Sequence, residues 1–393
     1  MLAAAVRAAP LQEGDSMMPA LLPLILGSLC PPPPPVSSGV EPNRDRLIEI
    51  VYQLASPEFE GRRGAGGRAA GDYLIGQLQR LGLDPAFGDR FDQEFTAGDR
   101  SGRNIAAMLP GADPERTDEW IILSAHYDHL GIRGGRLFPG ADDNASGVAM
   151  VLEVARCLVD RDERPGRGIL FVFFDLEEEA LLGSRYFVQH PPVPLDQIRL
   201  FVTADMLGRS LAGIAGDALF VMGTEHAPGL RPWVVEAAEG LPLTVGVVGA
   251  DLLVIDRSDY GPFRQRKVPF LFFSTGESPV YHTPDDVPQT IDFEKLASAT
   301  TLIGRVVLRS ASADTMPAWT SERSPWIGEA VAIRGVFELL LEHQEELGIP
   351  GAQRALIRGM LNRISRSIEE GTITPEDRTA MLRVSQLVLF TVL

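Results

Sequence analysis

The sequence predicts an α/β fold in which a mixed, mostly parallel central sheet is sandwiched by helices and followed by a C-terminal helical appendage. Runs rich in β-branched and aromatic residues are mostly apolar without alternation, as in strands that are covered on both faces. These runs are 104–109, 120–125, 168–174, 200–204 and 268–273. Apolar residues in 145–158 and 180–189 have helical spacing, and the predicted helices there supply the covering layers. With 393 residues and 45% hydrophobic content, the chain can bury a sizeable core.

The N-terminal residues 1–36 are interpreted as a signal-like segment and a proline-rich spacer. The apolar stretch 17–29 is shorter than the roughly 20 residues that a membrane-spanning helix needs, so no stable membrane span is expected. Its length suits a secretory signal, although Arg7 is distant. Cys30 suggests a lipoprotein, but Leu29 stands where a small residue is expected. We expect export to the periplasm or the medium, and a cytoplasmic location remains the alternative.

Residues 40–312 are predicted to form the main α/β domain. Two helices with apolar spacing precede the first strand, and the glycine-rich run 60–68 between them is interpreted as a solvated loop whose arginines could bind an anion. Residues 313–393 contain three helical segments, of which the last begins at Thr374 and Pro375. Periodicity leaves open whether these helices pack on the main α/β domain or mediate homo-oligomerisation.

Charge and cysteine content exclude two classes of site. The formal net charge of -17 leaves no basic face for phosphates, so no nucleic-acid partner is expected. The two cysteines, Cys30 and Cys157, cannot assemble a thiolate metal site.

Five potential metal ligands each come soon after a predicted strand: His126, Asp143, Glu178, Asp205 and His282. In an open α/β sheet, ligands gather beyond the carboxyl ends of the strands. Taken singly, an Asp before a helix is usually an N-cap, and a lone His is usually a satisfied core or surface group. Together, two imidazoles and three carboxylates suit two Zn²⁺ per chain if one carboxylate is shared.

Residues beside these ligands have predicted supporting roles. Asp128 can accept a hydrogen bond from the His126 ring nitrogen that does not face metal. His129 is the competing imidazole and is interpreted as a rim residue. Asp143 can bridge two metals, and Asp142 is interpreted as an acid that fixes the loop.

Three consecutive carboxylates, Glu177, Glu178 and Glu179, follow the strand-like run FVFF. Their mutual repulsion would be unfavourable without cations. Only Glu178 is needed as a ligand, so Glu177 is free to act as the general base that takes a proton from water.

The segments AHYDH, GADDNASG, the acidic pair before ALLGS, DMLGR and YHTPDD together resemble the co-catalytic zinc peptidase family that includes bacterial leucyl-type aminopeptidases and glutamate carboxypeptidase. The resemblance implies the zinc exopeptidase fold, with His126 and Asp205 on one zinc, Glu178 and His282 on the other, and Asp143 on both. It also implies that Glu177 is catalytic.

Two aromatic positions qualify the resemblance. Tyr281 falls near the implied site, either as a donor to the developing oxyanion or as a packing residue. Tyr260, in SDYGPF, stands where many members of the family carry histidine, which puts a substrate contact there in doubt.

The resemblance implies an aminopeptidase that acts on peptide or aminoacyl substrates. A glutaminyl-peptide cyclotransferase is the nearest alternative, with a single zinc at the positions of Asp143, Glu178 and His282. A non-catalytic binding module on the same fold, as in the transferrin receptor ectodomain, is a third alternative and requires lost ligands. Carboxypeptidase action on acidic peptides is a further option, for which the sequence identifies no basic pocket.

Overall fold

Four parallel strands form the centre of a nine-stranded sheet in the computed structural model, which describes residues 39–253, 256–323 and 325–392. The nine strands of this sheet are β1 (Asp84–Pro85), β2 (Asp92–Ala97), β3 (Arg100–Leu109), β4 (Trp120–His126), β7 (Gly168–Phe174), β8 (Ile198–Ala204), β9 (Ala218–Met222), β10 (Thr244–Val247) and β11 (Phe270–Ser274), and β5 (Gly131–Arg133) and β6 (Arg136–Phe138) form a separate two-stranded sheet. The helices are α1 (Arg44–Leu54), α2 (Ala65–Arg80), α3 (Gly147–Val159), α4 (Leu182–Phe187), α5 (Leu230–Ala238), α6 (Tyr260–Gln265), α7 (Phe293–Ser312), α8 (Ile327–Glu342), α9 (Gly351–Glu369) and α10 (Pro375–Val392).

The strand order is β1-β3-β7-β4-β8-β11-β9-β10, and β2 also pairs with β3. Strands β7, β4, β8 and β11 run parallel, whereas β3 and β9 are antiparallel to their neighbours β7 and β11. His126 pairs with Phe174, and Phe273 pairs with Ala204. The carboxyl ends of the four central strands therefore meet at one edge.

The continuous apolar runs are explained by helices on both faces. Along β4, Ile121 and Leu123 belong to the core under α1, α3 and α7, whereas Trp120 and Ile122 belong to the core on the opposite face. Successive side chains of a strand point to opposite faces. The predicted fold class, a mixed sheet between helical layers, is confirmed.

The interpretation of residues 60–68 as a solvated loop is wrong. The Arg62 side chain is fully buried, and α2 already begins at Ala65. Glycines permit this early start because the chain passes close to itself: a Cβ on Gly66 would lie 2.0 Å from the carbonyl oxygen of Phe59. The glycines thus mark close packing rather than a break in structure.

The C-terminal helices cover one side of the sheet. Helix α8 packs against β10, and α10 contacts the short turn Ala250–Leu252. The hydroxyl of Thr374 accepts a hydrogen bond from the backbone N–H of Asp377 at 3.0 Å, which agrees with the start predicted for the last helix.

The predicted signal-like segment, Cys30 and the proline-rich spacer lie outside the described residues. Within residues 39–392, apart from the three positions left undescribed, no helix combines the length and apolar character needed to span a bilayer.

Lys295 is a buried cation, and it is one of only two lysines in the chain. Its ammonium group donates to the backbone oxygens of Arg209 at 2.7 Å and Gly216 at 2.8 Å. Burial lowers its pKa from 10.5 to about 8. Between these two values the unfolded chain holds more protons than the folded chain, so the free energy of unfolding rises with pH across this window.

We expect Lys295→Met to remove this pH-dependent gain, which is on the order of 2–3 kcal/mol between pH 7.5 and pH 10. Urea unfolding at both pH values measures the change in the free energy of unfolding. Lys267→Met, at the exposed second lysine, is the matched control and should keep the gain. Equal pH dependence in wild type and Lys295→Met would contradict the prediction.

Candidate metal centre

All five predicted ligands lie at the edge of the sheet where the central parallel strands end. His126 is the last residue of β4, and Asp205 directly follows β8. Glu178 and His282 lie in the loops after β7 and β11, and Asp143 lies in the turn Ala141–Ser146 that leads into α3. The strands and α3 therefore hold side chains from distant parts of the sequence against one another.

His126, Asp143 and Asp205 form one cluster. Nε2 of His126 lies 3.2 Å from Oδ1 of Asp205 and 3.4 Å from Oδ1 of Asp143. The three residues are only 1%, 3% and 6% exposed. A buried imidazole and two carboxylates thus face a common point.

Glu178 and His282 form a second cluster on the other side of Asp143. Nε2 of His282 lies 3.0 Å from Oε2 of Glu178 and 3.1 Å from Oδ2 of Asp143. Asp143 therefore turns one carboxylate oxygen to each cluster, as a ligand shared by two cations would.

The interpretation of His129 as a rim residue is wrong. Its ring is fully buried, with Nδ1 2.8 Å from Oε1 of Glu178 and 3.6 Å from Oδ2 of Asp143. His129, Asp143 and Glu178 can also share one metal ion. The second cluster therefore contains two imidazoles, His129 and His282, whose ring centroids are 5.8 Å apart.

The chemistry of these clusters fits bound cations. Within the described residues, Nδ1 of His129, Nε2 of His282 and Oε1 of Glu178 are buried and close to one another, but their contacts do not have the geometry of hydrogen bonds. Burial and the Glu178 charge raise the pKa of Asp143 to about 6. Buried polar atoms that converge without hydrogen bonds need another partner, and nitrogen and carboxylate donors suit Zn²⁺.

Glu177 lies beside the first cluster. Its Oε2 is 4.0 Å from Nε2 of His126, and the residue is 9% exposed. Burial raises the pKa of Glu177 well above its ordinary value, the His126 imidazole lowers it, and the Asp205 charge raises it further. The carboxylate is thus within reach of a water molecule placed between the two clusters.

Asp128 holds the loop that carries Glu177 and Glu178. Its Oδ1 accepts the backbone N–H of Glu177 at 3.0 Å, and its Oδ2 accepts that of Glu178 at 3.3 Å. The prediction that the Asp128 carboxylate accepts a hydrogen bond from His126 is wrong, because the backbone oxygen of Asp128 is the closer acceptor. Nδ1 of His126 lies 3.6 Å from that carboxylate but 3.2 Å from the backbone oxygen of Asp128.

Two residues outside the predicted ligand set, Asp286 and Arg209, fix the loop that carries Asp143. The Asp286 carboxylate accepts the backbone N–H groups of Asp142 at 2.8 Å and Asp143 at 3.1 Å, and it pairs with Arg209 at 2.5 Å. Oδ1 of Asp142 accepts the N–H of Gly208 at 2.7 Å, in keeping with its predicted supporting role. Asp286 and Arg209 occur in the quoted segments YHTPDD and DMLGR.

Arg62 is a second support that sequence reasoning missed. Its guanidinium donates to five backbone oxygens, including those of Tyr127 at 2.7 Å, Gly140 at 2.7 Å and Asp143 at 3.2 Å. A buried cation thus joins the start of α2 to the metal-site loops.

Asp259 is a buried acid near the first cluster and was also missed. It is fully buried, and neither of its oxygens has a hydrogen-bond partner within the described residues. Burial raises its pKa to about 7, opposed by the His126 imidazole. The segment SDYGPF drew attention to Tyr260, whose ring packs on Phe270 and Phe272 instead.

Tyr281 stacks on His282, with ring centroids 3.9 Å apart and planes at 20°. Burial is the main cause that raises its pKa above the ordinary value of 10.0, and the Asp143 charge adds to it. Its phenol is therefore neutral at physiological pH and remains able to donate a hydrogen bond.

Comparisons with known proteins identify relatives of this site. The model of the family described as "Peptidase family M28" matches residues 104–307. The chain is 27% identical over 241 residues to leupeptin-inactivating enzyme 1 of Streptomyces exfoliatus, covering 61% of this chain and 49% of that protein. It is 28% identical over 204 residues to aminopeptidase YwaD of Bacillus subtilis, covering 50% of this chain and 42% of that protein.

The chain thus spans about half the length or less of these two relatives. Among solved structures, the glutaminyl cyclase of Porphyromonas gingivalis superimposes with a TM-score of 0.55 at 26% identity, over 68% of this chain and 98% of that one.

Proposed function

Because the chain belongs to peptidase family M28, we propose that it is a two-zinc aminopeptidase that removes N-terminal residues from peptides. The observation that carries the proposal is the position of Asp143 between the two clusters. Oδ1 lies 3.4 Å from Nε2 of His126, and Oδ2 lies 3.1 Å from Nε2 of His282.

The ligands we propose for the first zinc are His126 and Asp205, and those for the second are Glu178 and His282, with Asp143 shared. Zinc held there would polarise the scissile carbonyl and lower the pKa of a water molecule to about 7. Glu177 accepts the proton of the attacking water and returns it to the leaving amine. Asp128 positions Glu177 through its backbone N–H, and the neutral phenol of Tyr281 donates to the developing oxyanion.

Charge favours an aminopeptidase over a carboxypeptidase. A carboxypeptidase needs a free cation for the substrate carboxylate. A cavity adjoins Asp205, and the arginine in its lining is Arg257. The Arg257 guanidinium is already paired with the carboxylate of Glu277. The surrounding acids instead favour a cationic α-amino group.

The relation to bacterial glutaminyl cyclase makes cyclisation of N-terminal glutamine the second candidate function. The two candidates differ at the first cluster, because an enzyme with one zinc on Asp143, Glu178 and His282 does not need Asp205 as a ligand. The buried contact between His126 and Asp205 favours the aminopeptidase.

We expect Asp205→Asn to lower bound zinc from two ions per chain to one and to reduce hydrolysis of leucine amide at least about 100-fold. Elemental analysis of the dialysed protein gives the stoichiometry, and assays on leucine amide and on a peptide with N-terminal glutamine give the activity. Asp217→Asn, at an exposed acid that bonds Thr244, is the control. One zinc in the wild type, together with cyclisation of the glutamine peptide, would establish the cyclase instead.

A further inference from the structure

A large apolar cavity adjoins the proposed zinc site. Its volume is about 380 Å³, and Asp205 and Tyr281 of the site form part of its lining. This exceeds the roughly 300 Å³ at which small-molecule sites begin. The space beside the reacting centre is therefore larger than a small substrate side chain requires.

The sheet supplies one wall of this cavity. Met222 of β9 and Phe272 of β11 line it, and these two residues are paired across the two strands. Both belong to the apolar core on the face of the sheet that the C-terminal helices cover. The cavity thus lies between the sheet and those helices.

The C-terminal helices supply the opposite wall. Ile333, Val336 and Phe337 of α8 and Val388 of α10 line the same cavity. These residues lie beyond the family match, which ends at residue 307. This wall is therefore built by residues outside the part of the chain that matches the family.

An ion-pair cluster holds that wall in place. Arg378 of α10 donates to the Asp251 carboxylate at 2.8 and 2.9 Å and to Glu329 of α8 at 2.6 and 2.9 Å. Glu329 also accepts the backbone N–H of Gly249 at 2.8 Å. Leu252, next to Asp251, lines the cavity. The arrangement fixes both helices against the turn that completes the wall.

We propose that helices α8 and α10 form the selective wall of the substrate pocket, and that this wall sets how large an apolar N-terminal residue the enzyme accepts. This inference rests on the proposed aminopeptidase function. Burial of additional methylene groups in an apolar pocket raises kcat/KM by roughly 10-fold or more each. Phenylalanine and leucine amides are therefore expected to exceed alanine amide by at least about 10-fold.

The test uses the zinc-loaded full chain and a substitution on α8 that narrows the cavity. Val336→Trp places an indole at a half-buried lining position, and Val331→Trp makes the same change at an exposed position of the same helix. The readouts are kcat/KM for phenylalanine, leucine and alanine amides and calorimetric binding of free L-phenylalanine and L-alanine. Zinc content and thermal unfolding verify that both variants fold.

Val336→Trp is expected to lower kcat/KM for phenylalanine amide, and the affinity for L-phenylalanine, at least about 10-fold. The same variant should change kcat/KM for alanine amide less than about twofold. Val331→Trp should behave as wild type. Equal wild-type rates on phenylalanine and alanine amides, or equal selectivity in the two variants, would overturn the pocket assignment while leaving the aminopeptidase standing. If no amide is hydrolysed by the zinc-loaded chain, the proposed function fails, and the substrate preference fails with it.

Discussion

Replacing Glu177 by glutamine is expected to lower kcat by about 10²–10⁴-fold while both zinc ions stay bound. The amide keeps the size of the side chain and the Asp128 contact to the backbone N–H, but it cannot take the proton of the attacking water. Hydrolysis of leucine amide and elemental analysis of the same sample measure the two quantities.

The matched control is Glu179→Gln, two residues along the same loop. Glu179 pairs with Arg63 and, at 2.7 Å, with Arg100. We expect this variant to keep activity within about twofold, because Glu179 pairs with these two arginines rather than with a proposed zinc ligand. A Glu177→Gln enzyme with a near-native rate would assign the general base to another residue.

Replacing Arg62 by lysine is expected to cost about 2–6 kcal/mol of stability and to weaken zinc binding. The guanidinium donates to five backbone oxygens, including that of Asp143. An ammonium group has only three donors, so at least two of the five hydrogen bonds to buried carbonyl oxygens are lost. Each buried acceptor left unsatisfied costs about 1–3 kcal/mol.

Urea unfolding gives the change in stability, and competition with a zinc chelator gives the affinity. Arg63→Lys is the adjacent control, because the Arg63 side chain is about one third exposed and pairs with Glu179. A variant at Arg62 as stable as the one at Arg63, with native zinc affinity, would show that the buried guanidinium does not position the Asp143 loop.

Much of the fold could be predicted because the central strands have a strong local signal. The run 168–174 corresponds to β7, and the run 120–125 differs from β4 only at His126. Strands β9 and β10 were not predicted. Strand β10 has four residues including Gly246, so its apolar pattern is too short to separate it from a loop.

The proposed ligands could be predicted because four of them follow a central strand and the fifth, Asp143, lies just before α3. His129, Asp259, Asp286 and Arg62 could not be assigned in the same way, because their roles arise from contacts across the chain. Asp286, for example, accepts the backbone N–H of Asp143 from 143 positions away. Spacing along the sequence carries no signal of such a contact.

The cluster of Arg378, Asp251 and Glu329 also has a consequence for the order in which the protein is made. Every proposed zinc ligand, the last being His282, leaves the ribosome before Arg378 and Val388 of α10. The proposed zinc ligands are therefore synthesised before α10, which completes the proposed selective wall of the pocket.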